Sequence, residues 1–168
     1  MNSASDKNGV ARVASIHLHP PESRQPLRSV DAIEVVEGKG IVNNGRYFGK
    51  VSRLTGKPSR RQVSLIEREI ISEHSTTLGL ETISPGAVRS NIETSGIDLI
   101  DLIGQNVEIG SAILHFYEAR TPCEQMDAIC TGLRKLMEEN RQGVMAEVIR
   151  SGSIRVGDPI RVVPGGNH

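Results

Sequence analysis

The sequence predicts a mainly β fold: a strand-rich, β-barrel-like domain with a few short helices. Three observations lead there. Short runs of alternating or β-branched apolar residues recur along the chain, as in residues 10–18 and 32–37. With 17 glycines and 8 prolines, turn signals fall between those runs at close spacing. Helical periodicity is confined to a few brief stretches, so helices are insertions between strands rather than a framework.

Taken in order, residues 10–18 read as a strand that stops before Pro20 and Pro21, and residues 20–29 as a polar loop. Residues 32–37 form a second strand, with turns at Gly38 and Gly40 and again at Asn43-Asn44-Gly45. Residues 62–66 read as a short buried strand. Residues 67–74 read as a helix, because Ile66, Ile70 and Ile71 recur at helical spacing. Residues 88–92 are expected to be a strand. Residues 107–109 and 112–118 read as a hairpin around Gly110-Ser111. Leu133, Leu136 and Met137 share one face, which predicts an amphipathic helix over 131–140. Residues 144–150 and 154–163 close the fold as strands. The segment 154–161 repeats the pattern of 107–114, a strand, a Gly-containing turn and a return strand, and reads as a second hairpin, with Pro159 at an edge or strand start. A single domain is expected over 10–163, with flexible ends at 1–9 and 164–168.

Composition limits the function. The 20 basic and 20 acidic residues balance, which gives no reason to expect nucleic acid or a membrane surface as a partner. With no Trp, two Tyr and two Phe, the chain has no stacking platform for single strands, and its core must be aliphatic. No apolar run is long enough to span a bilayer, and the first ten residues have no secretory apolar core. Cys123 and Cys130 lie on one predicted short helix, about 10 Å apart by helical rise, too far for a disulfide. Reduced thiols and a cytoplasmic setting are expected.

Three features carry chemistry. The first is Cys123. Thr121, Pro122 and Glu124 form a helix-start pattern of cap, first-turn proline and capping-box acid. A thiol in that first turn is stabilised as thiolate, with Arg120 adding to the effect and Glu124 opposing it. Cys123 is therefore a candidate nucleophile, sulfur carrier or metal ligand, or else a small packed residue. The second is a basic stretch, Lys39 to Arg61, with seven basic residues and no acidic one. It reads as an anion site, with Arg89 and Arg120 converging on it, or as a solvated loop. The third is His17-x-His19, whose imidazoles would share one face of a strand at a spacing seen in metal sites, with no third ligand nearby.

In order, the chain carries His17-Leu18-His19-Pro20, Gly38-Lys39-Gly40-Ile41, Asn44-Gly45-Arg46-Tyr47, Arg61-Gln62-Val63-Ser64, Pro85-Gly86-Ala87-Val88-Arg89-Ser90-Asn91, Arg120-Thr121-Pro122-Cys123 and Val156-Gly157-Asp158. This series resembles the MOSC domain, named for the C-terminal domain of molybdenum-cofactor sulfurases, over roughly residues 10–163. The resemblance implies a β-barrel-like fold and a cysteine, here Cys123, that ligates molybdenum or carries sulfur as a persulfide. It implies Arg61, Arg89, Asn91 and Arg120 as contacts to molybdenum cofactor (molybdopterin), whose pterin bears a phosphate. Many relatives have an aspartate in a Gly-Asp segment where this chain has Asn44-Gly45, so a carboxylate is missing there. The chain shows no pyridoxal-phosphate domain and too few cysteines for an iron–sulfur cluster. Reduction of N-hydroxylated compounds would need an electron-donor protein, and a sulfur-carrier role a sulfur-donor protein. A non-catalytic binding module for a small molecule, with a structural Cys123, is the third reading.

Overall fold

The computed structural model describes residues 10–122 and 125–164. The described strands are β1 (Arg12–Leu18), β2 (Arg28–Val30), β3 (Ala32–Val36), β4 (Gly40–Ile41), β5 (Val63–Glu67), β6 (Ile92–Ser95), β7 (Asn106–Ile109), β8 (Ala112–Ala119), β9 (Val144–Arg150), β10 (Gly152–Arg155) and β11 (Ile160–Val162). Three helices, α1 (Arg68–Thr77), α2 (Gln125–Ile129) and α3 (Leu133–Leu136), are inserted among them. No described helix is long and apolar enough to cross a membrane.

One sheet runs β11-β7-β8-β9-β5-β6-β1-β2, and a smaller one runs β10-β3-β4. The β5–β6 pair is parallel, and α1 supplies the crossover such a pair requires. The other pairs are antiparallel. The large sheet curls until Val13 N–H donates to Asp158 O (3.0 Å), Gly157 N–H to Val13 O (2.8 Å) and Ile160 N–H to Ala11 O (3.0 Å). β2 takes the rest of that β1 edge, from Ile16 to Leu18, so the fold is barrel-like without being a closed barrel.

Every residue of β5 is buried, because both faces of this strand are covered. Val63 and Leu65 join the main core with Ile16, Ile92, Leu114 and Phe116. Ile66 faces a second cluster made with Ile71 of α1, Met126 of α2, and Leu133 and Met137. Gly143, just before β9, has φ +80°, and a Cβ there would collide with the Leu65 carbonyl. Glycine is required for β9 to enter beside β5.

Three expectations are corrected. Residues 88–91 are not strand: Arg89 has φ +67° and its N–H donates to Gly86 O (3.0 Å), so a turn occupies this segment and β6 begins at Ile92. The helix over 131–140 shrinks to α3, because Gly132 precedes it with φ +97° and Glu139 and Asn140 also adopt positive φ. The second hairpin does not form. β10 pairs with β3 and β11 with β7, so the same local turn chemistry sends its two strands into different sheets.

Candidate functional site

At the end of β1 and the lead-ins to β5 and β6, the chain encloses a polar cavity of about 160 Å³. Its lining includes Arg61, Arg89, Asn91 and Arg120, brought together from three distant segments. Each is held by local structure. Arg61 sits in a turn anchored by Gln62, whose Nε2 donates to Ser59 O (2.9 Å) and whose Oε1 accepts from Val148 N–H (2.8 Å). Arg89 rides on its left-handed turn and donates from Nη1 to Gln25 O (2.9 Å). That turn is fixed from below by Glu93, which is fully buried, pairs with Arg68 at 2.9 Å and accepts from Gly86 N–H at 2.8 Å. Arg120 follows β8; its N–H donates to Gly143 O (3.0 Å) and its Nη1 to Ser90 Oγ (2.6 Å).

Asn91 serves the cavity differently from the arginines. Its Nδ2 donates to His17 O (3.0 Å) and Asn44 Oδ1 (3.1 Å), and its Oδ1 accepts from Ser64 N–H (3.1 Å) and Oγ–H (3.2 Å). The amide has no donor left for a ligand, so Asn91 stitches β1, β5 and the 43–45 turn into one wall. Asn44 Oδ1 also accepts from His19 N–H (2.9 Å). Gly45 makes this turn possible: with φ +58°, a Cβ there would lie 2.6 Å from Pro20 O.

The described lining of the cavity is basic. No aspartate or glutamate is among its described lining residues, and among the described residues neither Arg61 nor Arg89 has an acidic partner. His19, also in the lining, is pushed down from 6.5 to about 4 by burial and by Arg89, Arg120 and Arg46 nearby. It is therefore neutral at pH 7. Its ring packs against Tyr47 with centroids 4.7 Å apart. Three guanidinium groups around a small polar cavity are the donor set of a site for phosphate or another oxyanion.

Cys123 and Glu124 lie outside the described residues. Their sequence neighbours are described: Arg120 and Met126, three residues to either side of Cys123, both line the cavity. The helix expected to hold both Cys123 and Cys130 lies partly outside the described residues; Cys130 itself lies past the last residue of α2. It is half-buried and packs on the second core cluster.

The two histidines of the His-x-His pair part company. His17 is fully buried, with Nδ1 2.9 Å from Ser90 O, whereas His19 lies beyond the end of β1 and escapes the strand's alternation. Among the described residues no group of three His, Cys, Asp or Glu side chains converges on a metal position. The basic stretch also divides. Arg61 enters the cavity, while Arg60 turns away to stack on Tyr117 (4.1 Å) and pair with Glu147 (2.7 Å).

The family model for the MOSC domain matches residues 23–161. The chain belongs to the MOSC domain family. No curated protein matches the sequence. Among solved structures, the MOSC chain is similar to the YuaD protein from Bacillus subtilis, with TM-score 0.72 and 21% identity over 91% of this chain and 95% of that one. It is similar to YiiM from Geobacillus stearothermophilus, with TM-score 0.69 and 17% identity over 91% and 75% of the two chains. For YiiM from Escherichia coli the values are 0.65 and 16% over 90% and 69%. At these identities the likeness is one of fold.

Within this MOSC fold, His19, Asn44 and Tyr47 are lining residues that sequence reasoning did not assign to the cavity. A signal was present for His19. It stands directly before Pro20-Pro21, and a residue at a strand's end faces whatever opens there.

Proposed function

We propose that this MOSC protein binds the molybdenum cofactor in the arginine-lined cavity and uses it to reduce N-hydroxylated compounds with electrons from a partner protein. Cys123 is the proposed thiolate ligand, and Arg61, Arg89 and Arg120 the proposed phosphate contacts. One observation carries the reading: Arg120 and Met126, which bracket Cys123 in sequence, line the same cavity as Arg61 and Arg89.

The residues present fit the group. Arginines suit a phosphate, thiolate is a soft ligand suited to a soft metal centre, and no described lining carboxylate opposes an anion. When bound, the cofactor supplies the redox chemistry of molybdenum. The chain itself holds and orients. The guanidinium groups bind the anionic end, neutral His19 offers a hydrogen-bonding nitrogen without adding charge, and Asn91 keeps the wall rigid.

The test is metal and pterin analysis of protein produced in cofactor-competent cells, for the native chain, Cys123→Ser and Cys130→Ser. Serine is a harder and far less acidic ligand than cysteine. Cys123→Ser should lose molybdenum with an unchanged melting curve, while Cys130→Ser keeps it. Mass spectrometry on the same samples looks for a persulfide. Native protein without molybdenum but with a persulfide on Cys123 would replace the proposal with a sulfur-carrier role. A folded Cys123→Ser protein with full molybdenum content would end both.

A further inference from the structure

A second, larger cavity of about 480 Å³ adjoins the first, and Arg89 belongs to the lining of both. Its walls are two turns, one carrying Pro26 and Leu27 and the other Pro85 and Ala87, and Ala128 and Ile129 of α2 complete it. The Arg89-to-Gln25 hydrogen bond ties those two turns together. Arg24 is the other charged residue in the described lining. Neither Arg24 nor Arg89 has an acidic partner among the described residues.

The same two arginines are among the five described non-glycine residues with positive φ. Arg24 and Arg89 both have φ +67°, in the left-handed region where a side chain other than glycine, asparagine or aspartate is uncommon. Such conformations cost free energy and persist where the surroundings impose them, which is most often at binding sites. Here both residues line one mainly apolar cavity. An apolar cavity with a few convergent polar groups is the general form of a small-molecule site.

We propose that this cavity binds a small organic anion, its apolar body against Leu27, Pro26, Ala128 and Ile129 and its negatively charged group on Arg24 and Arg89. This goes beyond the cofactor reading and does not depend on it, because the cavity is formed by the chain alone.

The experiment is calorimetric titration of the cofactor-free chain with three probes: 2-naphthoate, its neutral analogue 2-naphthamide, and inorganic phosphate. Loss of a charge-assisted contact should weaken binding about tenfold or more, so naphthamide should bind that much less tightly than naphthoate. Ala128→Trp places a ring at a solvent-exposed position of α2 that lines the cavity, and should abolish naphthoate binding while leaving phosphate affinity unchanged. Arg24→Asn keeps a residue that tolerates positive φ, and should weaken naphthoate by about tenfold and leave phosphate alone. Equal affinity for naphthoate and naphthamide would overturn the proposal. So would naphthoate binding that survives both variants, or that is lost in Arg61→Gln and kept in Ala128→Trp.

Discussion

Two cavities of this molecule carry opposite charge. One is lined by Arg61, Arg89 and Arg120; the other, of about 350 Å³, by Glu67, Glu69, Glu73 and Asp98. Strand β5 contributes to both, through Ser64 in the first and Glu67 in the second. Three of the four acids are engaged by the fold. Glu67 accepts from Leu99 N–H (3.1 Å), Glu69 from Gly96 N–H (2.8 Å), and Glu73 pairs with Arg141 (2.5 Å). Arg61 and Arg89 have no such acidic partner among the described residues. A chain with balanced charge can therefore leave Arg61 and Arg89 without an acidic partner among the described residues while its carboxylates serve structure elsewhere.

The sharpest way to break this comparison is through the wall the arginines stand on. Asn91→Ala would remove the side-chain partner of Ser64 N–H and of the His17 carbonyl and one of the two donors to Asn44 Oδ1, all in a buried site. We expect a loss of about 2–4 kcal/mol in chemical denaturation. An unchanged midpoint would mean that the wall does not depend on this amide.

Next comes anion binding. Arg61→Gln should weaken inorganic phosphate by about tenfold in calorimetric titration, whereas Glu69→Gln in the opposite cavity should leave it unchanged. Equal effects from both would show that the two cavities respond only to net charge.

A smaller effect is expected at Glu67. Burial, its largest influence, raises its titration above the usual 4.5. A carboxyl raised on folding adds stability that is complete below the unfolded value and is lost as pH rises through the folded one. Glu67→Gln should therefore be neutral in acid and stabilising at pH 7, as read from melting temperatures across that range. A variant less stable than the native chain at pH 7 would show that the charged form is the one the fold uses.

The smallest concerns His19. Its imidazole should titrate near 4 by NMR, and phosphate should move that value upward, since a bound anion favours the charged ring. Because the folded value is depressed, stability from this group is complete above about 6.5 and falls as pH drops toward 4. A phosphate-insensitive titration would place the anion away from His19.

Much of the frame was legible in the sequence because its signals are local. Alternation marks β1, and the Gly110-Ser111 turn marks the β7–β8 pair, whose register the structure gives as Ile109 opposite Ala112. The 154–161 segment misled for the same reason: its turn chemistry is local, but its strands choose partners more than 50 positions away in the chain. Arg89 misled because a left-handed arginine leaves no mark in sequence, where Val88 and Ile92 suggest extended chain. The four family-derived contacts do meet at one cavity, but the fold assigns Asn91 to the wall. That distinction rests on hydrogen-bond partners supplied by His17, Asn44 and Ser64, which no spacing rule connects.

The seam joining residues 11–13 to residues 157–160 has a consequence for synthesis. A ribosome releases the chain from its N-terminal side, so β1 waits with part of one edge open until residues 157–160 have emerged. Contacts this distant in sequence make folding slow and late. During translation the exposed β1 edge is the place where a nascent chain of this protein would recruit a chaperone or pair with a neighbour, and the arrival of Asp158 and Ile160 ends that exposure.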